Sequence, residues 1–121
     1  MEIQQGDLYW FQPLDASGSE QSGMRPYIIM SRLAVNRNRP TVVGVPLSTN
    51  LTKANPYFRI LLPMAEIVKD ANCGSQIQDS VALCDHVRVL DVARLRQKIG
   101  KLSDTAVAGV GLGLAFVFDL R

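Results

Sequence analysis

Hydrophobic residues in the first part of the chain occur in short runs separated by turn residues, a pattern typical of β-strands. The runs are rich in aromatic and β-branched residues, which favour the pleated surface of a sheet. They predict strands at residues 7–11, 26–31, 41–47, 57–62 and 80–89. Because no helical periodicity lies between them, we expect a small antiparallel barrel and not alternating βαβ units.

Polar segments between the strands are candidates for binding loops. Residues 14–23 contain three serines and two glycines, and residues 33–40 contain two asparagines and two arginines. Functional side chains concentrate on loops of this kind. A further segment of mixed charge, residues 67–79, is expected to cross the surface.

The C-terminal third reads as two helices. Asp91 is a suitable N-cap for a short helix that continues to Arg96, and Gly100 is expected to end it. Ser103 and Asp104 then start the last helix. Its apolar face is predicted from residues spaced three and four apart, namely Val107, Val110, Leu114 and Val117.

Three glycines in the last helix, Gly109, Gly111 and Gly113, reduce its intrinsic helix propensity by about 1 kcal/mol each relative to alanine. Glycine has no side chain beyond its hydrogen, so it permits close approach of a neighbouring element. We therefore expect this helix to pack tightly against a sheet or a second subunit.

Composition restricts the class of protein. The 121 residues suit one domain, residues 1–121, and 47% hydrophobic content with a net charge of +2 excludes general disorder. The longest apolar run, residues 106–118, spans 13 residues, short of the ~20 that a bilayer helix needs. The N-terminus lacks the features of a signal peptide, so we expect a cytoplasmic protein without a membrane segment.

Few residues are available for metal or cofactor chemistry. His86 is the single histidine, and Cys73 and Cys84 are the two cysteines. They build neither a disulfide framework nor a recognisable metal motif, and we expect no metal and no cofactor. The absence of GxSxG and of a P-loop motif argues against a serine hydrolase and a P-loop nucleotide-binding protein.

Basic residues are concentrated in one part of the chain. Residues 21–65 contain six basic side chains and no Asp or Glu, and nine of the 13 basic residues in the chain are arginine. This distribution fits a surface that faces a polyanion, or an ordinary solvated basic face. It does not distinguish RNA from DNA or from an acidic protein.

An arginine and a hydroxyl group form the most plausible reactive pair. Arg25 precedes Pro26, which restricts the backbone beside it, and Ser48 and Thr49 follow the third predicted strand. Arginine and hydroxyl groups suffice for RNA transesterification, because the substrate supplies its own 2′-OH nucleophile. The alternative for Arg25 is a surface salt bridge with Glu20.

Motifs along nearly the whole chain then point to one family. They are GDLYW at residues 6–10, GSEQSGMRP at 18–26, LSTN at 47–50, SVAL at 80–83, VRVLD at 87–91 and KIGKLSD at 98–104. In this order they resemble the MazF/PemK toxins of type II toxin–antitoxin systems. The resemblance extends from residue 6 to about residue 118.

The resemblance implies a small SH3-like antiparallel barrel with appended helices that works as a homodimer. It implies a metal-independent endoribonuclease that cuts single-stranded mRNA at short specific sequences. The products would carry a 2′,3′-cyclic phosphate and a 5′-hydroxyl. It also implies that RNA lies in a groove at the dimer interface and that the C-terminal tail of a cognate antitoxin occupies the same groove.

Site residues follow from matching motif positions. Arg25 matches the catalytic arginine of the family, and Ser48 matches its catalytic threonine or serine. The other expected RNA contacts are the first-loop residues and several polar residues further along: Ser19, Glu20, Gln21, Asn36, Arg37, Thr49, Asn50 and Arg88.

One departure concerns Asp85 and His86, which stand where members often have Glu-Gln. Base recognition is therefore expected to differ at this point. His86 either takes part in proton transfer, since histidine titrates near neutrality, or is a structural residue.

Two other functions remain open. A related toxin family with the same barrel, typified by CcdB, inhibits DNA gyrase without cutting RNA through an aromatic C-terminal end. The last residues here, Phe118, Asp119, Leu120 and Arg121, do not reproduce that end. The second alternative is an inactive module that binds in the groove and persists only with its antitoxin. The presence of both Arg25 and Ser48 favours the nuclease.

Overall fold

A computed structural model describes residues 2–13 and 23–120. The strands are β1 (Asp7–Phe11), β2 (Arg25–Ile29), β3 (Thr41–Ser48), β4 (Arg59–Leu62), β5 (Ile67–Lys69), β6 (Ser80–Leu83), β7 (Arg88–Asp91) and β8 (Leu95–Leu102). The α-helices are α1 (Leu33–Asn36) and α2 (Asp104–Phe118), and short 3₁₀ turns lie at Leu51–Lys53, Met64–Glu66, Cys84–His86 and Val92–Arg94.

The strands form one curled antiparallel sheet. Its order is β4-β6-β3-β2-β1-β8-β5, and β7 pairs with β3 beside β6. This half-barrel with a C-terminal helix confirms the predicted fold class. Successive side chains of a strand point to opposite sides, and both sides of this sheet are filled. One core contains Leu8, Ile28 and Val45, and the other contains Tyr9 and Tyr27.

The first three predicted strands are confirmed, but the predicted strand at 80–89 is two strands. The turn Cys84–His86 separates β6 from β7, and both strands still pair with β3. At the turn, the backbone N–H of Cys84 donates to the carbonyl of Phe58, 3.1 Å away. Cys84 is thereby fully buried beneath the last helix, which a continuous strand would not allow.

The predicted short helix from Asp91 to Arg96 is wrong. The Asp91 carboxylate does cap a turn, accepting from the backbone N–H of Ala93, but that turn covers only Val92–Arg94. Residues 95–102 then form β8, which pairs with β1 on one side and β5 on the other. Hydrogen bonds to two neighbouring strands outweigh the weak local preference for a helix.

Gly100 accordingly lies inside a strand and does not end a helix. A Cβ atom at this position would lie 2.3 Å from the carbonyl oxygen of Val68 on β5. The two strands approach this closely only because position 100 carries no side chain.

The polar segments also contain regular structure that the sequence did not indicate. Residues 33–40 include α1, and residues 67–79 begin with β5. The rest of the segment that begins with β5, residues 70–79, crosses the surface as predicted and contains no helix or strand.

The last helix is confirmed together with its buried face. Ser103 caps it by accepting from the backbone N–H of Ala106, and Val110 is fully buried. The other predicted face residues, Val107, Leu114 and Val117, are partly buried against the core. Among the described residues, no helix has the length and apolar character needed to cross a membrane.

The three glycines of this helix differ in their surroundings. A Cβ atom on Gly113 would lie 2.6 Å from the Sγ atom of Cys84, whereas a Cβ atom on Gly111 would meet nothing within 4 Å. On Gly109 it would lie 3.9 Å from Ile60. Close packing of the helix on the sheet therefore depends on Gly113.

Candidate functional site

The strand register brings Arg25 and Ser48 together. In the antiparallel pairing of β2 with β3, Tyr27 lies opposite Pro46 and Ile29 opposite Gly44. Arg25 begins β2 and Ser48 ends β3, so the two residues lie at the same end of this antiparallel pair. Neighbouring strands lie about 4.8 Å apart, so side chains at this end can act on one ligand group.

Arg25 and Ser48 both line a cleft of about 360 Å³ at this end of the sheet. Thr49 lines it as well. Apolar side chains from several strands form the floor, and they are Leu8, Trp10, Leu47, Ile67 and Ile99. A cleft with an apolar floor and a few polar groups at its edge is the usual form of a ligand site.

No described residue occupies the Arg25 guanidinium. The residue is exposed, and its side chain makes no hydrogen bond or ion pair within residues 2–13 and 23–120. Arginine stays protonated at all physiological pH values. Its planar group presents several N–H donors in a geometry that fits phosphate. This cation at the edge of an apolar cleft suits a phosphate group of a bound strand.

Ser48 ends β3 and is held by the turn that follows. Its Oγ accepts from the backbone N–H of Asn50 at 3.2 Å. The Asn50 side-chain oxygen in turn accepts from the backbone N–H and the hydroxyl of Thr52, at 3.2 and 2.6 Å. The Ser48 hydroxyl hydrogen stays available, while Asn50 uses its oxygen to cap the turn beside the cleft.

Part of the cleft lining comes from residues that the sequence did not single out. Ser75, Gln76, Ile77 and Gln78 line it. The Trp10 indole N–H donates to the Oγ of Ser75 at 3.1 Å, which ties this segment to the floor. The only signal in the sequence was the alternation of glutamine with isoleucine in a segment expected to cross the surface.

Comparison with known proteins identifies the family. The family model of PemK-like, MazF-like toxins of type II toxin–antitoxin systems matches residues 4–118. The chain belongs to this family. It is 30% identical to the Staphylococcus epidermidis protein named Endoribonuclease MazF, over 98% of this chain and 93% of that relative.

Solved structures of MazF-like toxins share the fold. MazF from Deinococcus radiodurans is 25% identical and has a TM-score of 0.71, with 98% of each chain covered. An endoribonuclease from a mycobacterial species, solved in complex with its cognate antitoxin, is 20% identical and also has a TM-score of 0.71. That comparison covers 98% of this chain and 97% of the mycobacterial one.

In this MazF-like toxin, Asn36 and Arg37 lie away from the Arg25 cleft. They line a second pocket of about 340 Å³ near the N-terminus. Asn36 is buried, and its amide nitrogen donates to the carbonyls of Ile3 and Ser31 at 2.8 and 2.9 Å. Its side-chain oxygen accepts from the Ser31 hydroxyl, so the structure does not leave this amide free for a base.

The remaining residues that were predicted to contact RNA do not gather at the Arg25 cleft in the described part of the chain. Arg37 is exposed and forms an ion pair with Glu2 at 3.0 Å. Arg88 on β7 is exposed and lies over the ring of Phe11, 5.4 Å from its centroid. It does not line the Arg25 cleft. Ser19, Glu20 and Gln21 lie outside the described residues.

Asp85 and His86 are part of a surface ion-pair cluster. Arg59 binds the Asp85 carboxylate through two hydrogen bonds of 3.1 and 2.8 Å. These hydrogen bonds hold the pKa of Asp85 below its usual value. The Nε2 atom of His86 lies 3.8 Å from the same carboxylate. Neither Asp85 nor His86 lines the Arg25 cleft.

A metal-binding cluster or the thiol of Cys84 would be another kind of reactive group within the described part of the chain. The described part of the chain contains no group of three or more His, Cys, Asp or Glu side chains arranged to hold a metal. Burial raises the pKa of the Cys84 thiol to about 11, which keeps this thiol protonated and unreactive.

Proposed function

We propose that this toxin is an endoribonuclease that cuts single-stranded mRNA in the Arg25 cleft. The observation that carries the proposal is that Arg25 and Ser48 line one cleft. The similarity to an endoribonuclease over almost the whole chain supports it.

The proposed reaction is a transesterification that needs no metal. The 2′-OH oxygen of the substrate attacks the adjacent phosphorus, the P–O5′ bond breaks, and a 2′,3′-cyclic phosphate and a 5′-hydroxyl are formed. One proton leaves the 2′-OH and one is gained by the 5′-oxygen, so the reaction is neutral overall. Arg25 stabilises the negative charge that develops on the phosphorane, and the Ser48 hydroxyl donates to a non-bridging oxygen.

RNA contacts outside the reacting phosphate are assigned to the remaining exposed polar residues. Thr49 lines the cleft and Asn50 lies beside it. Arg37 and Arg88 would contact the strand further away, and Ser19, Glu20 and Gln21 would add further contacts. Asn36 is left out of this proposal because its amide is buried and already hydrogen-bonded.

The proposed assembly is a single-domain homodimer that acts in the cytoplasm, where mRNA is found. A cognate antitoxin would block the toxin by placing its C-terminal tail in the same groove as RNA. The mycobacterial endoribonuclease of the same fold has been solved with its cognate antitoxin. Competition between an antitoxin-tail peptide and RNA for this toxin would test the shared groove.

The test is cleavage of a long defined RNA in excess EDTA, followed by mapping of the ends. We expect discrete cuts at one short sequence with cyclic-phosphate and 5′-hydroxyl ends. Arg25→Ala should remove cleavage, whereas Arg96→Ala, a change at another exposed arginine outside the cleft, should not. Intact RNA after incubation with folded, antitoxin-free protein would contradict the proposal.

A further inference from the structure

The cleft that Arg25 lines also carries two uncharged amide groups. Gln76 and Gln78 line the same cleft as Arg25 and Ser48. Both glutamines are exposed, and neither side-chain amide has a hydrogen-bond partner among the described residues. Each is therefore free to donate to and accept from a ligand.

The residue between the two glutamines anchors their segment to the core. Ile77 lies between them and packs against the hydrophobic core. Gln76 and Gln78, on either side of this anchored residue, stay exposed at the cleft.

Hydrogen bonds at both ends of the segment restrict its movement. Ser75 accepts from the Trp10 indole N–H at 3.1 Å, and the carboxylate of Asp79 accepts from the backbone N–H of Met64 at 2.8 Å. Earlier in the segment, the Gln97 amide donates to the carbonyl of Asn72 at 2.6 Å. A segment fixed at these points loses little conformational entropy when a ligand binds.

The polar groups that line the cleft suit two different parts of a nucleotide. Arg25 and the hydroxyl of Ser48 suit a phosphate, because one is a cation and both donate hydrogen bonds. A glutamine amide has no net charge but presents a donor and an acceptor side by side, which matches the edge of a nucleobase. Trp10 lines the same cleft and offers an apolar surface for a base.

We propose that Gln76 and Gln78 determine which nucleobase occupies the position next to the cut phosphate. They bind the edge of this base by hydrogen bonds while it lies against Trp10. This inference rests on the proposed endoribonuclease function and adds the residues that set its sequence preference.

The experiment compares cleavage of an RNA library randomised around the cut site. The variants are Gln76→Met and Gln78→Met, which keep the length of the side chain and remove the amide. Gln4→Met is the matched control, because Gln4 is also exposed but does not line the cleft. We expect the preference at one position beside the cut to fall about tenfold in at least one cleft variant. Preferences at other positions and in the control should stay unchanged.

A binding measurement separates recognition from chemistry. Trp10 is the single tryptophan, so its fluorescence reports on ligands in the cleft. The probe is an RNA oligonucleotide with a 2′-deoxy sugar at the cut site, made with the preferred base or a different base beside the cut. The affinity ratio between the two should fall about tenfold in the same variant, because the hydrogen bonds that it removes are to the base.

The outcomes distinguish the two proposals. If the wild-type protein cuts no RNA, the endoribonuclease proposal is wrong and this inference is wrong with it. If the wild-type protein cuts RNA and both variants keep its full sequence preference, only this inference is wrong. A uniform loss of cleavage at all sites, with the preference intact, would also overturn it.

Discussion

Ser48 occupies the position at which a single hydroxyl group has the largest expected effect on cleavage. It lines the same cleft as Arg25, and its Oγ is already oriented by the backbone N–H of Asn50. Its hydroxyl hydrogen remains free for a phosphate oxygen.

Removal of this hydroxyl should slow cleavage without changing the products. Loss of one pre-oriented donor to a developing oxyanion costs about 10²–10³ in kcat. We expect Ser48→Ala to show a loss of this size, and Ser48→Thr to retain most of the activity because it keeps the hydroxyl. Single-turnover cleavage of a defined RNA measures both. Equal rates for Ser48→Ala and the wild-type protein would exclude Ser48 from the reaction.

The ion pair between Arg59 and Asp85 predicts a defined pH dependence. The pKa of Asp85 is lowered in the folded protein, chiefly by its hydrogen bonds to Arg59. The pair therefore stabilises the fold at pH values above the ordinary Asp pKa of about 4. This contribution is lost as the pH falls through the lowered pKa of Asp85.

Arg59→Met should bring the pKa of Asp85 back toward its ordinary value, which NMR titration of the carboxyl carbon measures. The variant should also unfold at lower denaturant concentration than the wild-type protein at neutral pH. This difference should disappear in strong acid, where Asp85 is protonated in both proteins. A difference that persists in acid would mean that Arg59 stabilises the fold by packing on Phe58 instead.

At the scale of elements, the packing of α2 on the sheet depends on Gly113, whereas the space around Gly111 is open. A Cβ atom at Gly113 would lie 2.6 Å from Cys84 Sγ and 3.0 Å from Ile60, and space at Gly111 is open. Alanine substitutions at these two positions of one helix therefore distinguish the effect of helix propensity from the effect of packing.

Gly113→Ala should lower the free energy of unfolding by about 1–3 kcal/mol, because overpacking forces the sheet and helix apart. Gly111→Ala should raise the free energy of unfolding by up to about 1 kcal/mol, because alanine is the better helix former. Urea unfolding of both variants measures the two effects. The prediction is wrong if both substitutions change stability in the same direction.

Strand β8 shows how tertiary pairing overrides a local pattern. Residues 91–96 carry an N-cap and helix-forming residues, yet helical structure ends at Arg94. The chain then lies between β1 and β5, where Gly100 allows a close approach that no other residue permits. The partners of β8 are distant in sequence, so no local window contains this information.

At the scale of the whole molecule, the net charge of +2 conceals basic residues in different places. Arg25 lies in the cleft, while Arg37 and Arg39 line the second pocket near the opposite end of β3. A single strand of RNA that reaches both regions would have more of its phosphates neutralised than one bound in the cleft alone.

The affinity for RNA should therefore depend on salt, with a slope of about −0.7 per neutralised phosphate in a plot of log K against log salt concentration. Replacing both Arg37 and Arg39 by Ala should make this slope less steep by roughly 0.7 for each phosphate that these arginines neutralise. Titration of Trp10 fluorescence with an uncleavable RNA at several salt concentrations measures it. An unchanged slope would show that RNA does not reach the second pocket.

The sequence by itself determined the first three strands, the last helix with its buried face and the family, and it predicted the pair Arg25 and Ser48, which line one cleft. These features depend on local patterns and ordered motifs, because alternation, caps and turn residues act between neighbours in the chain. The motifs that identified the family run along almost the whole length, and the family model matches residues 4–118.

Only the tertiary structure decided the other features. It divided residues 80–89 into two strands, made residues 95–102 a strand, buried Asn36 and placed Gln76 and Gln78 at the cleft. In each case the deciding interaction joins residues that are distant in the chain, such as the amide of Asn36 and the carbonyl of Ile3. Burial and strand pairing depend on these distant partners, and a local sequence pattern does not contain them.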